Sequence, residues 1–183
     1  TAIITAASQG IGEACARKLS ILNYNIVIMS HSEKIYRLAD EIDCLGFKGS
    51  VTNSDDLTNV IRISRFLVPQ MKKNGGSIVN ISSFGAENPS LKFPTSSVVR
   101  SSLTSFSKLF SRRYGHHKIR MNNLLPGFVD SYPVTDEIRD KIALRREATV
   151  KEIANAVSFL LSNESSYITG QNLMIDGSMV VSE

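Results

Sequence analysis

The sequence predicts a doubly wound α/β fold, because short apolar runs alternate with stretches of helical periodicity along the chain. Ala2-Ile3-Ile4, Asn25-Ile26-Val27-Ile28-Met29 and Ser77-Ile78-Val79-Asn80-Ile81 are such runs, followed later by Arg120 to Leu125 and Asn172 to Ile175. Continuous apolar runs suit parallel strands covered on both faces. Between the first two, Ile11, Cys15, Leu19 and Leu22 recur at spacings of four, four and three, which places them on one helical face.

The elements follow in order. The first strand leads through a turn of small residues, Thr5-Ala6-Ala7-Ser8-Gln9-Gly10-Ile11-Gly12, into that first helix. A strand feeding a glycine turn and a helix is suited to phosphate, because the helix N-terminus offers unpaired N–H groups and Gly10 and Gly12 let backbone and ligand approach closely. After the second strand, Ser30-His31-Ser32 leads into a helix with Ile35, Leu38, Ala39 and Ile42 on one face. A third strand is predicted from Phe47 to Val51, with Asn53-Ser54-Asp55-Asp56 as a helix start. Ile63, Phe66, Leu67 and Met71 stripe the next helix, which Asn74-Gly75-Gly76 ends. Val99, Leu103, Phe106 and Phe110 stripe a long helix, and Thr149-Val150-Lys151-Glu152 is a capping box opening a last one.

One place breaks the alternation. Two helical stretches abut between Asp55 and Ile63 with no strand between them, whereas strand and helix must alternate in parallel crossovers. In a doubly wound sheet the missing strand would lie beside the first, and its loss leaves unpaired backbone groups in mid-sheet. The expectation is that a central strand–helix unit of roughly 30 residues or more is absent near residues 56–62. A discontinuity in the chain between Asp56 and Arg62 is expected with it.

Totals limit the remaining possibilities. The chain has 183 residues, 42% hydrophobic and 21% charged, with a net charge of +4. Those values predict one domain over residues 1–183. The single basic cluster, Arg112, Arg113, His116, His117, Lys118 and Arg120, reads as a helix C-terminus running into a loop, where cations suit the dipole. No nucleic-acid partner is expected. Cys15 and Cys44 read as buried thiols in a reducing compartment, and the three histidines form no metal triad. No apolar run reaches membrane-spanning length, so a cytoplasmic protein without a membrane partner is expected.

Several stretches together resemble the short-chain dehydrogenase/reductase family. The turn from Thr5 to Gly12 is similar to its TGxxxGIG motif, with Ala6 where the family has its first Gly. Ser50-Val51-Thr52 is similar to the adenine-side D-V-T element, and Asn80-Ile81-Ser82-Ser83 to the strand carrying the active-site Ser. Asn122-Asn123-Leu124-Leu125-Pro126-Gly127-Phe128-Val129 resembles the N-x-(x)-x-P-G segment. Tyr167-Ile168-Thr169-Gly170-Gln171 with Asp176-Gly177 resembles the C-terminal signature.

The resemblance implies a Rossmann-like domain binding NAD(P), held by Ala6, Ser8, Gln9, Gly10, Ile11, Gly12, His31, Ser32, Val51, Arg100, Pro126, Gly127, Val129 and Ser131. Ser131 sits where the family uses a Thr on the carboxamide. The family's Tyr, 13 residues after the Ser, falls on Ser96, and its Lys, four further on, falls on Arg100. Ser83, Ser96 and Arg100 are therefore the candidate catalytic residues. Ser96 is a far weaker acid than tyrosine, and Arg100 can hold ribose hydroxyls but never gives up its proton. The family's strand-end Asn-Asn-Ala-Gly and its helix Asn are expected to be lost with the missing unit. Tyr114 and Tyr132 are possible substitute donors, with packing as the alternative.

The expected activity is hydride transfer between NADP(H) and a carbonyl or alcohol, with the substrate undefined. A catalytically degenerate nucleotide-binding protein with a regulatory or scaffolding role is the alternative. NADP(H) is preferred to NAD(H), because Ser30-His31-Ser32 puts no carboxylate against a 2′-phosphate. Ala6 in place of the family's first Gly is a mild departure, tolerable if the backbone there needs no positive φ. On resemblance alone, a homodimer or homotetramer is expected through the helices holding Ile63 to Met71 and Val99 to Phe110.

Overall fold

Parallel pairing divides the strands into two groups of three. The structure, a computed structural model, describes residues 1–49 and 56–179, with side chains from residue 59 onward in the second stretch. In the first group β1 (Ala2–Thr5) pairs with β2 (Ile26–Ser30), and β2 with β3 (Leu45–Lys48). In the second, β4 (Gly76–Ile81) pairs with β5 (Ile119–Pro126), and β5 with β6 (Asn172–Ile175). All four pairings are parallel, with register such as Ile4 opposite Ile28 and Ile81 opposite Leu124.

Helices cover the strands as the apolar spacing requires. α1 (Gly10–Ile21) buries Ala16 and Leu19 against Ile26 and Ile28 of β2, and α2 (Lys34–Glu41) adds Ile35 and Leu38 to the same cluster. On its other side α1 puts Cys15 against Leu124 of β5 and Ile153, Ala154 and Val157 of α6 (Val150–Leu161). That one helix therefore joins the two halves. α3 (Asp56–Asn74) and α4 (Pro94–Tyr114) bring Val68 and Phe110 onto Ile119 and Met121 of β5. A short α5 (Asp136–Asp140) precedes α6.

α6 shows how local sequence sets an element. Thr149 Oγ1 accepts from the Glu152 N–H at 3.2 Å, and Glu152 Oε2 accepts from the Thr149 N–H at 2.8 Å. Those bonds satisfy two donors that a helix start leaves over, and such a cap stabilises by about 1 kcal/mol.

The missing unit is the main architectural feature. Among the described residues β1 pairs only with β2 and β4 only with β5, so the two edges face each other unpaired. A cleft of about 1390 Å³ lies between them and is lined along both strands. The expected chain discontinuity is overturned. Residues 56 to 74 form one helix, so no break falls between Asp56 and Arg62, and the abutting helical stretches are a single element.

Other expectations are corrected too. β3 runs from Leu45 to Lys48 instead of Phe47 to Val51; Gly46 packs there because a side chain would stand 2.8 Å from Ala39 Cβ. Ser50 to Asp55, including the Ser50-Val51-Thr52 element and the helix-start residues Asn53 to Asp55, lie outside the described residues. Phe66 leaves the apolar stripe and is 82% exposed. Cys44 is half-buried, unlike Cys15. Arg120 leaves the basic cluster, since β5 turns it inward to donate to the carbonyls of Leu160, Ser162 and Ile168.

Candidate active site

The turn after β1 is built from backbone constraints. Ala7 is fully buried, and its N–H donates to the Met29 carbonyl at 3.1 Å, which ties the turn to β2. Ser8 Oγ and Ser30 Oγ are 2.7 Å apart and hydrogen-bonded. Gly10 has φ +58, and at Gly12 a Cβ would lie 2.3 Å from the Ala6 carbonyl oxygen. Neither position accepts a side chain without strain. Ala6 also has φ +53, so the condition under which alanine is a mild departure there is not met. Gln9 makes no side-chain cap at the helix start, so the N-terminal N–H groups of α1 keep the anion-binding character that the turn implied.

At the end of β2, His31 is exposed and Ser32 half-buried. Ser32 Oγ accepts from the Lys34 N–H at 3.3 Å. The nearby Glu33 carboxylate bonds Lys48 Nζ at 2.8 Å, and that cation holds its carboxyl below the usual range. The acid at this corner is thus already partnered.

The ends of β4 and β5 carry the other candidates. Ser83 Oγ accepts from the Gly85 N–H at 3.3 Å, starting a one-turn 3-10 helix over residues 84–86. Ser96 and Arg100 stand one turn apart on α4, and Arg100 Nε donates to Ser96 Oγ at 3.1 Å. The two candidate replacements are therefore partners. α4 is held on the sheet by a polar chain in which Ser107 Oγ and Asn80 Nδ2 both donate to Asn123 Oδ1, at 2.8 and 2.9 Å. Asn123 Nδ2 in turn donates to Asn172 Oδ1 at 2.9 Å. Ser107 and Asn123 are buried, so these bonds are needed to offset their desolvation.

The loop after β5 returns toward the turn. Gly127 is required because a Cβ there would stand 2.9 Å from Asp176 Cα. Val129 is buried, and Asp130 Oδ1 accepts from the Val150 N–H at 2.9 Å, tying the loop to the start of α6. Ser131 then lies beside the glycine turn: a Cβ on Gly10 would be 3.6 Å from Ser131 Cβ.

The cleft wall gathers Ala6, Gln9, Gly10, Ile11, Gly12, Arg100 and Ser131. Ser8, His31, Ser32, Ser83, Ser96, Pro126, Gly127 and Val129 are not on that wall, and Val51 lies outside the described residues. Pro126 pairs with Ile175 in the sheet. Tyr132 lines the cleft at 76% exposure, whereas Tyr114 packs its ring 4.7 Å from that of Phe110. Asn59, in the first turns of α3, is also on the wall. Cys15 reaches the cleft, but burial pushes its thiol up to about 11, which keeps it protonated and unreactive.

The model of the enoyl-(acyl carrier protein) reductase family matches residues 56–179. The chain belongs to the short-chain dehydrogenase/reductase family. It is 37% identical over 135 residues to the 3-oxoacyl-[acyl-carrier-protein] reductase FabG of Chlamydia muridarum, a match covering 70% of this chain and 54% of that protein. It thus spans about half the length of that relative. Nodulation protein G of Rhizobium sp. strain N33 is 27% identical over 239 residues, covering 98% of this chain and 96% of its own. Since 98% of 183 residues is about 179, about 60 aligned positions of nodulation protein G have no counterpart here. A solved structure described as a ribose-5-phosphate isomerase from Brucella melitensis 16M superposes with a TM-score of 0.88 at 23% identity, covering 96% of this chain and 90% of its own. At that identity the likeness shows the fold alone.

Proposed function

We propose that residues 1–183 act as one domain that binds NADP(H) and works as a short-chain oxidoreductase on a small carbonyl or alcohol. The observation that carries this reading is the junction of the glycine turn with Ser131 and Arg100 on one cleft wall. The turn fits a dinucleotide: Gly10 and Gly12 leave a cradle that any side chain would fill. The N-terminal N–H groups of α1 would hold the pyrophosphate, Ser8, His31 and Ser32 a 2′-phosphate, Arg100 the ribose and Ser131 the carboxamide. The nicotinamide, when bound, supplies or accepts the hydride.

The chain's own residues then orient and polarise the substrate. Ser83 Oγ can donate to a carbonyl oxygen, and Arg100 adds fixed positive charge near it. Ser96 is a poor proton donor, and its Oγ accepts from Arg100 Nε. The weakness of a serine hydroxyl as an acid also favours a second reading, a domain that holds nucleotide without turnover. A family member of this kind is expected to pair through α3 and α4, where Phe66, Leu109 and Val98 are exposed, giving a homodimer or homotetramer in the cytoplasm.

Titration with NADPH, followed by its fluorescence, tests the binding reading, and absence of saturation ends both nucleotide readings. Turnover of a carbonyl panel that includes 3-oxoacyl thioesters then separates them. A wild-type rate above that of Arg100→Ala supports the oxidoreductase; equal background rates support the binding-only domain.

A further inference from the structure

Charge is divided unevenly along the chain. Between Leu57 and Val129 the sequence has 11 of its 21 Lys and Arg but only one of its 17 Asp and Glu, Glu87. That carboxylate accepts from Asn172 Nδ2. The fold gathers part of the excess at one end of the molecule. Lys72 and Lys73 lie in the last turn of α3, and Arg112 and Arg113 in the last turn of α4. A one-turn 3-10 helix over residues 115–117 adds His116 and His117, with Lys118 behind them. The two helix ends meet at one ring: Lys72 Nζ lies 5.8 Å and Arg113 Cζ 5.7 Å from the centroid of Tyr114. The His116 and His117 rings are 4.0 Å apart. The charges that act on His117 are basic, since after burial it is His116 and Lys72 that push its pKa down. Lys72, Lys73, Arg112, Arg113 and Lys118 are exposed, and among the described residues none of them makes an ion pair.

Helix dipoles do not account for this accumulation. Each helix C-terminus carries about half a negative charge, so the two ends together answer about one of the five Lys and Arg. Lys118 has φ +58, a left-handed conformation that glycine adopts at less cost, yet a cation stands there. The expectation of no nucleic-acid partner rested on the α4 end alone, and the fold adds the α3 end to it.

We propose that this end of the molecule binds single-stranded nucleic acid, with its cations on the phosphates and the His116 and His117 rings against the bases. Among the described residues no exposed large apolar side chain stands within residues 70–76 or 111–120, so a bilayer finds no anchor there. An acidic polypeptide would meet the charge but leave the paired rings unused. The cluster stands at the start of β5, where Gly76 pairs with Ile119, whereas Pro126 ends that strand toward the Ser131 loop. The eight residues of β5 span roughly 25 Å. The surface is therefore separate from the turn proposed for the dinucleotide.

Fluorescence anisotropy of the full 183-residue chain with a fluorescein-labelled oligouridylate of about 20 nucleotides tests the inference. Saturable binding is expected at low salt, with log Kd rising by about 3 per decade of salt, as for four or five neutralised phosphates on a single strand. Lys73→Glu with Arg112→Glu leaves the ring contacts of Tyr114 in place. It is expected to weaken binding at least about tenfold and to lower the salt slope by about 1. Lys72→Glu with Arg113→Glu is expected to do the same, and gives the reading should the first pair not fold. Lys141→Glu with Lys151→Glu makes an equal change of net charge away from the cluster, and is expected to weaken binding less than about threefold. Saturating NADPH is expected to leave the oligonucleotide bound; displacement would place it in the cleft and overturn the inference. Equal weakening by the cluster pairs and the distant pair would also overturn it. So would absence of saturation by about 100 μM protein at low salt, or polyglutamate binding as tightly as the oligonucleotide. Sedimentation with phosphatidylglycerol vesicles in place of oligonucleotide binding would assign the surface to a membrane instead.

Discussion

The turn after β1 and the N-terminal part of α4 lie on one cleft yet differ in what they retain. The turn has a crowded glycine and positive φ values, backbone features that suit the phosphate proposed for it. Gly12 has no room for a Cβ, Gly10 has positive φ, and Ala6 adopts positive φ without being glycine. On α4 the scaffold is kept, with Ser107 and Asn123 bonded to hold the helix on the sheet, while the side chains that would move a proton are Ser96 and Arg100. Under the proposed function, holding a nucleotide and delivering a proton would be separable: the first would rest on backbone shape, the second on the pKa of single side chains.

The sharpest way to break this contrast is to restore the family's acid and its cation. Ser96→Tyr with Arg100→Lys is expected to raise turnover by about 10²- to 10⁴-fold, the usual worth of a placed general acid, with NADPH affinity changed less than about threefold. Steady-state kinetics beside a binding titration would show it, and no gain in rate would mean that the chemical end lacks more than the acid.

The opposite change attacks the turn. Gly12→Ala is expected to weaken NADPH about 100-fold and to cost roughly 1–3 kcal/mol of stability through crowding against Ala6. Unchanged affinity in the titration would remove the turn from the binding reading. At Ala6, glycine is expected to stabilise by about 1 kcal/mol, because a left-handed conformation costs an L-residue that much; a chemical melt that moves the other way would contradict the strain.

The smallest effect concerns the supports of the Ser131 loop. Arg139 holds the Glu147 carboxyl down to about 2, and Arg146 does the same for Glu152. A folded value below the ordinary 4.5 stabilises above that pH and is lost as pH falls through about 2. Melting temperature is therefore expected to decline between pH 4.5 and pH 2, with a shallower decline in Glu152→Gln. Identical slopes would show that the pair with Arg146 is not part of the acid response.

Much of the architecture could be read from spacing. The strand from Ile26, the stripe on α4 and the capping box at Thr149 each rest on neighbours a few residues away, and each stands in the structure as its pattern required. The family motifs and the loss of a strand–helix unit were also readable, the latter because two helical patterns met with no strand between. Less was readable where contacts are distant. Arg120 reads as part of a basic cluster until β5 aims it at three carbonyls. Asp130 shows no role until the loop folds back on α6.

The sequence by itself therefore determined the order of the elements, the family and the missing unit, because periodicity and turn chemistry act over a few residues. Tertiary structure alone decided that α1 bridges the two halves, that Ser131 comes beside Gly10, and that β1 and β4 face each other across an open slot. Those depend on how non-local surfaces pack, and sequence spacing carries no record of which edge is left without a partner.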